Sequence, residues 1–189
     1  TLQVMNNVDV IFNPAVGWSG SATPCDVFCN KKSVRLGWDL KKNLGRVSID
    51  KCRFIDVGNA AAQTSAAWFC GFYIQNTGIE KLDLYEPTTL NSYVKPNSTV
   101  GDTNGSNRNI ICEGAVTAGS VVSDIDIYDM RAENLTLDED SDAITINLGT
   151  TTINGATFNI DIHRGFIKNV QRRAIKIIGH STNSTGVRI

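Results

Sequence analysis

Two aspartates at the same position of a repeated pattern are the first residues here that could do acid–base chemistry. The segments DIDIY (124–128) and NIDIH (159–163) alternate polar and apolar residues, so that Asp126 and Asp161 occupy matching polar positions. Glycoside hydrolysis needs one carboxyl that protonates the leaving oxygen and one ionised partner. Two carboxylates held close together cannot both ionise cheaply, so their proton affinities are expected to separate. This pair is therefore the leading catalytic candidate.

Tyr128 and His163 stand two residues after these aspartates and are candidate substrate-binding residues at the same edge. Two solvated aspartates on a polar strand face are the plainer alternative. A calcium ion prefers six or more oxygen ligands, which the pair does not supply. We therefore expect no metal and no other cofactor at this position.

A second set of candidates lies in the acidic segment TLDEDSD (136–142), which would stack beside two arginines of the next repeat. The charged residues expected at this corner are Asp138, Glu139, Asp140, Asp142, Arg172 and Arg173. Carboxylates and guanidinium groups can bind sugar hydroxyls, and Trp68, farther along the same corner, can stack on a sugar ring. Glu139 and Asp142 form the rival catalytic pair. The alternative is ordinary surface ion pairing, which contributes little to stability.

The five cysteines divide into two groups. Cys25 and Cys29 are four residues apart in PCDVFC, which leaves a disulfide or half of a metal site open. The chain has only two histidines, both far downstream, so a zinc site is not expected. The remaining three lie in apolar, strand-like segments, where buried reduced thiols are expected: Cys52, Cys70 and Cys112.

The aspartates belong to a longer repeat. Its three copies are RVSIDKCRFIDV (46–57), DIDIYDMRAENL (124–135) and NIDIHRGFIKNV (159–170). A second apolar strand follows in each copy, in the segments GFYI (71–74), AITI (143–146) and AIKI (174–177). The last two copies are offset by 35 residues, and the wider first gap leaves room for a less regular turn around KLDLYE (81–86). Strands repeating at such periods predict a solenoid.

The alternation also predicts which side chains face the core. The isoleucines should point inward, namely Ile125, Ile127, Ile160 and Ile162. Their polar neighbours should point outward, namely Asp124, Asp126, Asn159 and Asp161. On adjacent rungs in register, Asp126 would lie directly over Asp161, about 4.8 Å away.

These repeats resemble the right-handed parallel β-helix, the fold of pectin-degrading enzymes and of bacteriophage tailspikes. The expected fold class is thus an all-β solenoid forming one domain over residues 1–189. The resemblance covers 44–189, whereas 1–43 is interpreted as an irregular initial region with one candidate strand, VDVIF (8–12). The segment 95–109 is expected to be a surface excursion or a contact with a neighbouring subunit. The final residues, GVRI, match the opening strand of another rung, which predicts that this is a segment of a longer chain.

The families that share the β-helix fold differ in their loops, so the loop sequences indicate which family this chain resembles. SDAITI (141–146) and RRAIKIIGH (172–180) are similar to elements of polygalacturonases, but Ser181 follows Gly179-His180 where those enzymes have glycine. That departure argues against a pectinase, and no acidic cluster matches the calcium site of pectate lyases. Loops rich in Asn, Thr and Ser, together with irregular rungs, look more like a tailspike.

The tailspike resemblance implies a homotrimer on the phage tail that attaches to the host and acts at the bacterial cell surface. It implies binding and depolymerisation of capsule or O-antigen polysaccharide, with a glycoside hydrolase favoured over a lyase; the glycan is not identified. The alternative is a non-catalytic structural or adhesive β-helix. Eighteen basic and nineteen acidic residues argue against a nucleic-acid partner. No apolar run is long enough to span a membrane, and TLQVMNN does not look like a signal peptide.

Overall fold

The computed structural model is built from β-strands that pair in parallel. The residues that it describes are 2–3, 12–15, 17–22, 25–30, 36–40, 44–58, 68–75, 79–93, 106–113, 123–136, 141–147, 158–178 and 185–188. Among these residues, no helix is long and apolar enough to cross a membrane.

Fifteen strands follow one another along the described residues. They are β1 (Leu2–Gln3), β2 (Gly20–Ala22), β3 (Cys25–Phe28), β4 (Leu36–Leu40), β5 (Leu44–Asp50), β6 (Cys52–Ile55), β7 (Trp68–Gln75), β8 (Ile79–Tyr85), β9 (Thr88–Tyr93), β10 (Ser106–Glu113), β11 (Ser123–Thr136), β12 (Ser141–Asn147), β13 (Phe158–Val170), β14 (Arg173–Ile178) and β15 (Thr185–Arg188).

The strands form one large curled sheet and one small sheet. The first strip of the large sheet contains β2, β5, β8, the first halves of β11 and β13, and β15. The second strip contains β1, β3, β6, β9 and the second halves of β11 and β13. The small sheet contains β4, β7, β10, β12 and β14. The chain visits first strip, second strip and small sheet in turn, and we call each such circuit a rung. This arrangement is compatible with a parallel β-solenoid.

The inward columns of the first strip confirm the predicted register. One column is Val47, Leu82, Ile125 and Ile160, and the next is Ile49, Leu84, Ile127 and Ile162. All eight side chains are at most 8% exposed. The irregular turn predicted around 81–86 is present as β8, which lies between the first and second recognised repeats and supplies the two leucines.

The small sheet confirms the match of AITI with AIKI and corrects one loop. Ile144 and Ile175 are direct partners, whereas Phe72 of GFYI is separated from Ile144 by Ile110 of β10. The surface excursion predicted over 95–109 is wrong for its last four residues, because β10 begins at Ser106. The rest of that segment lies outside the described residues.

Two asparagines of β10 explain why the alternation of apolar and polar residues does not predict this strand. Asn107 and Asn109 are fully buried although their side chains are polar. The amide of Asn107 donates to the Ser92 carbonyl at 2.8 Å and accepts from the Ser92 hydroxyl at 2.7 Å. Asn109 accepts from the Thr89 hydroxyl at 2.9 Å. Because buried polar groups are tolerated when they are hydrogen-bonded, these residues occupy core positions that their polarity hides in the sequence.

The initial region is more regular than expected. The interpretation of 1–43 as an irregular initial region is wrong where β2, β3 and β4 form a rung of their own. Val27 and Leu40 of this rung are fully buried, and Phe12 stacks on Trp38 with ring centroids 5.0 Å apart. These strands have only three to five residues, too few for the alternation to stand out. Most of VDVIF lies outside the described residues.

The described cysteine side chains are Cys29, Cys52, Cys70 and Cys112. All four are buried reduced thiols, as expected for the last three. Burial raises the pKa of Cys29 to about 12, so its thiol stays protonated and unreactive. The structure therefore favours neither a disulfide nor a metal ligand at Cys29. The side chain of Cys25 lies outside the described residues.

Two columns of left-handed residues form the corners on either side of the second strip. The first corner contains Lys51, Glu86, Asp129 and Arg164, with φ between 50° and 55°. The second contains Asp56, Asn91, Asn134 and Asn169, with φ between 51° and 56°. In the second corner each asparagine amide donates to the side chain one rung earlier, at 3.1, 2.7 and 2.9 Å. Asparagine is among the few residues that adopt this backbone readily, so the ladder helps to hold the rungs in register.

Replacing Asn134 with alanine is expected to lower the free energy of unfolding by about 2 kcal/mol. The change removes two side-chain hydrogen bonds and places a residue with a Cβ but no local hydrogen-bonding group in the left-handed region. Asn134→Gly, which loses the same hydrogen bonds without the steric cost, should be less destabilised. Urea denaturation of both variants measures the difference, and an alanine variant as stable as the parent would contradict the importance of this corner.

Candidate functional site

The outer face of the first strip carries stacked carboxylates. Asp126 and Asp161 are direct partners on β11 and β13, as the sequence predicted, and Asp83 of β8 continues the column below them. We call these three residues the carboxylate ladder. They face outward because Ile127 and its equivalents occupy the alternating inward positions. Like charges stacked in this way cost stability unless cations lie between them.

Two cations supply that compensation. Lys81 forms a short ion pair with Asp126 and lies 3.7 Å from a carboxylate oxygen of Asp83. The Nε and Nη2 atoms of Arg188 each donate a hydrogen bond to a carboxylate oxygen of Asp161. This hydrogen bonding, reinforced by the guanidinium charge, lowers the pKa of Asp161 below its ordinary value. Asp161 is therefore an ionised carboxylate at neutral pH.

An aromatic column runs beside the carboxylate ladder. It consists of Tyr85, Tyr128 and His163, with ring centroids 4.9 and 4.6 Å apart and planes within 10° of parallel. The Nε2 atom of His163 lies 3.4 Å from a carboxylate oxygen of Asp126. Because Tyr128 is covered on both faces by its neighbours, it can offer a ligand its edge and its hydroxyl but not a stacking face. Tyr128 and His163 thus lie at the candidate site, as predicted.

A pocket of about 500 Å³ opens on this face. Its polar lining consists of Lys81, Asp124, Asp126, Asn159, Asp161 and Arg188. Asn159 donates to Asp124 at 2.9 Å, so the two outward residues that precede the aspartates are also linked across rungs. The pocket is large enough for a small ligand or for one unit of a longer polymer.

The same residues include a group with metal-like spacing. One ligand atom each from Asp126, Asp161 and His163 lies within 4.8 Å of the others. Three ligands fall short of the six or more oxygens that calcium takes. Lys81 and Arg188 also bind the same carboxylates and occupy oxygens that a metal ion would need as ligands. The group is better suited to organic hydrogen-bond donors than to a metal ion.

The acidic corner has a different character. Asp142 pairs with Arg173 across β12 and β14 as expected, with the Arg173 Nε atom 2.6 Å from its carboxylate. However, the Asp142 side chain is fully buried, and it also accepts from the Thr145 hydroxyl at 3.0 Å. Arg108 lies 3.5 Å away. A buried carboxylate held by two arginines fits a structural ion pair better than the predicted catalytic role.

Most of the other residues predicted at this corner have side chains outside the described part of the structure. Asp138, Glu139 and Asp140 lie outside the described residues. Trp68 begins β7, where its backbone pairs with Ser106, but its side chain is not among those described. Arg172 is exposed between β13 and β14.

Asp142 does not lie beside the other candidate pair, because the carboxylate ladder lies on the first strip and Asp142 on the small sheet. Sequence reasoning missed four residues at the ladder and column: Lys81, Asp83, Tyr85 and Arg188. The first three belong to KLDLYE, whose alternation matches that of DIDIY, so an alignment of these two segments would have found them.

Asp142→Ala is expected to lower the free energy of unfolding by roughly 3 kcal/mol, because it leaves two arginines facing each other without their shared carboxylate. Glu80→Ala is a matched control that breaks the exposed pair with Arg46 and should cost less than about 1 kcal/mol. Denaturant unfolding curves measure both. Equal costs would mean that the burial of Asp142 contributes nothing.

Comparison of the chain with protein-family models, with curated proteins and with solved structures finds no match. The structure itself gives the class of this protein. It is an all-β chain of parallel strands whose outer face carries polar and aromatic side chains.

Proposed function

We propose that this chain is a tailspike-like receptor-binding protein with a right-handed parallel β-helix, which binds bacterial surface polysaccharide along the first strip. The observation that carries the proposal is the carboxylate ladder beside the aromatic column, with a pocket opening between charged side chains. Carboxylates accept hydrogen bonds from sugar hydroxyls, and the tyrosine and histidine edges add polar and apolar contacts. Capsule and O-antigen are the polymers that the resemblance implies.

The strip is suited to a polymeric ligand because its binding groups recur along the solenoid axis. Asp83, Asp126 and Asp161 stand one strand spacing apart, about 4.8 Å, and Tyr85, Tyr128 and His163 repeat at nearly the same interval. A glycan lying along this face would meet the same kinds of group several times. Repeated weak contacts of this kind raise the overall affinity.

We also propose that the protein is part of a phage tail, where it acts at the bacterial surface as a homotrimer. Large apolar side chains remain on the surface of the chain, including Tyr93, Phe166 and Ile177, each at least half exposed. Association of solenoid faces in a closed threefold assembly would cover such residues. Light scattering of the intact parent protein is expected to give three times the mass of one chain. A monomer would count against the tailspike assignment.

Cleavage of the bound glycan is the catalytic part of the proposal. The carboxylate oxygens of Asp126 and Asp161 approach within 4.8 Å, near the separation of about 5 Å used by retaining glycosidases. In such a hydrolase Asp161, kept ionised by Arg188, would be the nucleophile, and Asp126 would deliver the proton to the leaving oxygen. This arrangement favours hydrolysis over elimination, because two carboxylates flank one pocket.

A non-catalytic adhesin is the second candidate, and one observation favours it. Lys81 pairs with Asp126 while Arg188 pairs with Asp161, so each carboxylate of the pair has its own cation. At Asp161 this pairing lowers the pKa and opposes protonation of the carboxyl. A face built in this way is suited to holding hydroxyls even if no bond is broken.

Incubation of the parent protein with purified capsule and O-antigen polysaccharides separates the candidates. Calorimetry measures binding, and size-exclusion chromatography measures shortening of the polymer. Oligosaccharides with new reducing ends are expected from the hydrolase, and products with an ultraviolet-absorbing double bond would indicate a lyase. Binding without products would identify the adhesin. No binding to any bacterial surface polysaccharide would contradict both candidates.

A further inference from the structure

We infer that the pocket on the first strip selects glycans that carry no acidic groups, and that it binds most tightly those bearing an amino group. The inference rests on the proposed function, because it concerns the ligand of the same face. It is drawn from the charge balance and the hydrogen-bonding groups of the pocket lining.

The pocket holds more carboxylates than cations. Its lining has three aspartates against Lys81 and Arg188, and the lower end of the carboxylate ladder adds Asp83. Both cations are already bound to aspartates, since Lys81 contacts two of them and Arg188 grips a third. An acidic sugar would have to draw these cations away from their partners while facing the remaining negative charge. The field of the pocket therefore disfavours carboxylated or sulfated glycans.

Hydrogen bonding points in the same direction. The amide of Asn159 donates to Asp124, and the nitrogens of Lys81 and Arg188 donate to ladder carboxylates. Each ionised carboxylate can accept about four hydrogen bonds, so acceptor sites remain after these donors are used. The ligand that completes the pocket must then bring donors. Hydroxyl and ammonium groups do so, whereas a carboxylate does not.

The repeat supplies an internal precedent for an ammonium group. Lys81 places its ammonium between two ladder carboxylates, Asp83 and Asp126. The equivalent of Lys81 on the next rung is Asp124, so no described lysine lies between Asp126 and Asp161, and the nitrogen closest to that gap is the Nε2 atom of His163. With the imidazole of His163 counted as neutral, three ladder carboxylates against two bound cations leave one negative charge uncompensated. A ligand ammonium at this gap would balance it.

Calorimetric titration with three oligosaccharides of matched length tests the inference. The probes are chitosan oligosaccharides, with protonated amino groups, their N-acetylated counterparts, which are neutral, and oligogalacturonates, which are acidic. The expected order is amino-bearing first, neutral about tenfold weaker and acidic without measurable binding. Raising the salt concentration should weaken the amino-bearing ligand most, because its advantage is electrostatic.

Protein variants locate the effect. Asp161→Asn removes one ladder charge and should reduce the preference for the amino-bearing over the neutral ligand about tenfold. Glu80→Gln removes a carboxylate that lies outside the pocket lining and should leave the preference unchanged. An unchanged preference in Asp161→Asn would overturn the placement of the ammonium at this ladder. Circular dichroism of both variants confirms that they are folded.

The outcomes separate this inference from the proposed function. Oligogalacturonate binding as tight as that of the chitosan oligosaccharides would overturn the inference and leave a glycan-binding face intact. Failure of all three probes would also overturn it. The proposed function is decided independently by the bacterial capsule and O-antigen polysaccharides, and it fails only if none of those binds.

Discussion

Ile127→Asp is expected to prevent the chain from folding. Ile127 is fully buried between Leu84 and Ile162 in an inward column of the first strip. The substitution removes about 1.5–3 kcal/mol of hydrophobic stabilisation and leaves an unpaired carboxylate in the core, which costs several kcal/mol more. That total is comparable with the whole stability of an ordinary domain. Soluble expression, circular dichroism and resistance to protease measure the outcome.

The neighbouring residue provides the control. Asp126→Asn changes an outward position one residue away and is expected to leave the chain folded. Ile162→Asp, in the same inward column, should be as damaging as Ile127→Asp. A soluble Ile127→Asp protein with native β-sheet circular dichroism would refute the register, together with every outward position derived from it.

In a parent protein with depolymerase activity, Asp126→Asn and Asp161→Asn are each expected to lower the turnover rate at least a hundredfold. Hydrolysis requires a proton donor and an ionised partner, and an amide can serve as neither. Measurement of new reducing ends under saturating polysaccharide gives the rate, and the thermal unfolding midpoint shows whether each variant is folded.

Glu80→Gln is the matched control, because it also replaces a carboxylate with an amide but lies outside the pocket lining. Its turnover should stay within a few-fold of the parent. Glu139→Gln combined with Asp142→Asn tests the rival pair, and loss of turnover there in a folded protein would move the chemistry to the acidic corner. Full activity in all these variants would make the first strip a binding surface only.

The internal repeat explains why the sequence alone predicts the pairing of Asp126 with Asp161. Side chains alternate along a strand, and a 35-residue offset brings equal positions of neighbouring rungs together. These two facts place the aspartates side by side with no knowledge of the loops, and the structure pairs them in that register. The inward isoleucine columns follow from the same reasoning.

The repeat does not predict which charged groups lie beside Asp126 and Asp161. Stacking alone predicts two carboxylates whose proton affinities separate by mutual repulsion. The structure instead assigns a separate cation to each, from Lys81, 45 residues before Asp126, and from Arg188, 27 residues after Asp161. Which cation reaches which carboxylate depends on how side chains extend across neighbouring rungs, and this information is absent from any single repeat.

The alternating pattern and the repeat are enough to predict the stacked strands, the inward columns and the outward carboxylate pair, because these depend on a local period and a constant offset. Three other features require the folded chain: the burial of Asp142 between arginines, the core positions of Asn107 and Asn109, and the rung formed by β2, β3 and β4. Burial and ion pairing result from contacts between distant segments, and polar residues reveal a core position only once their hydrogen-bond partners are in place.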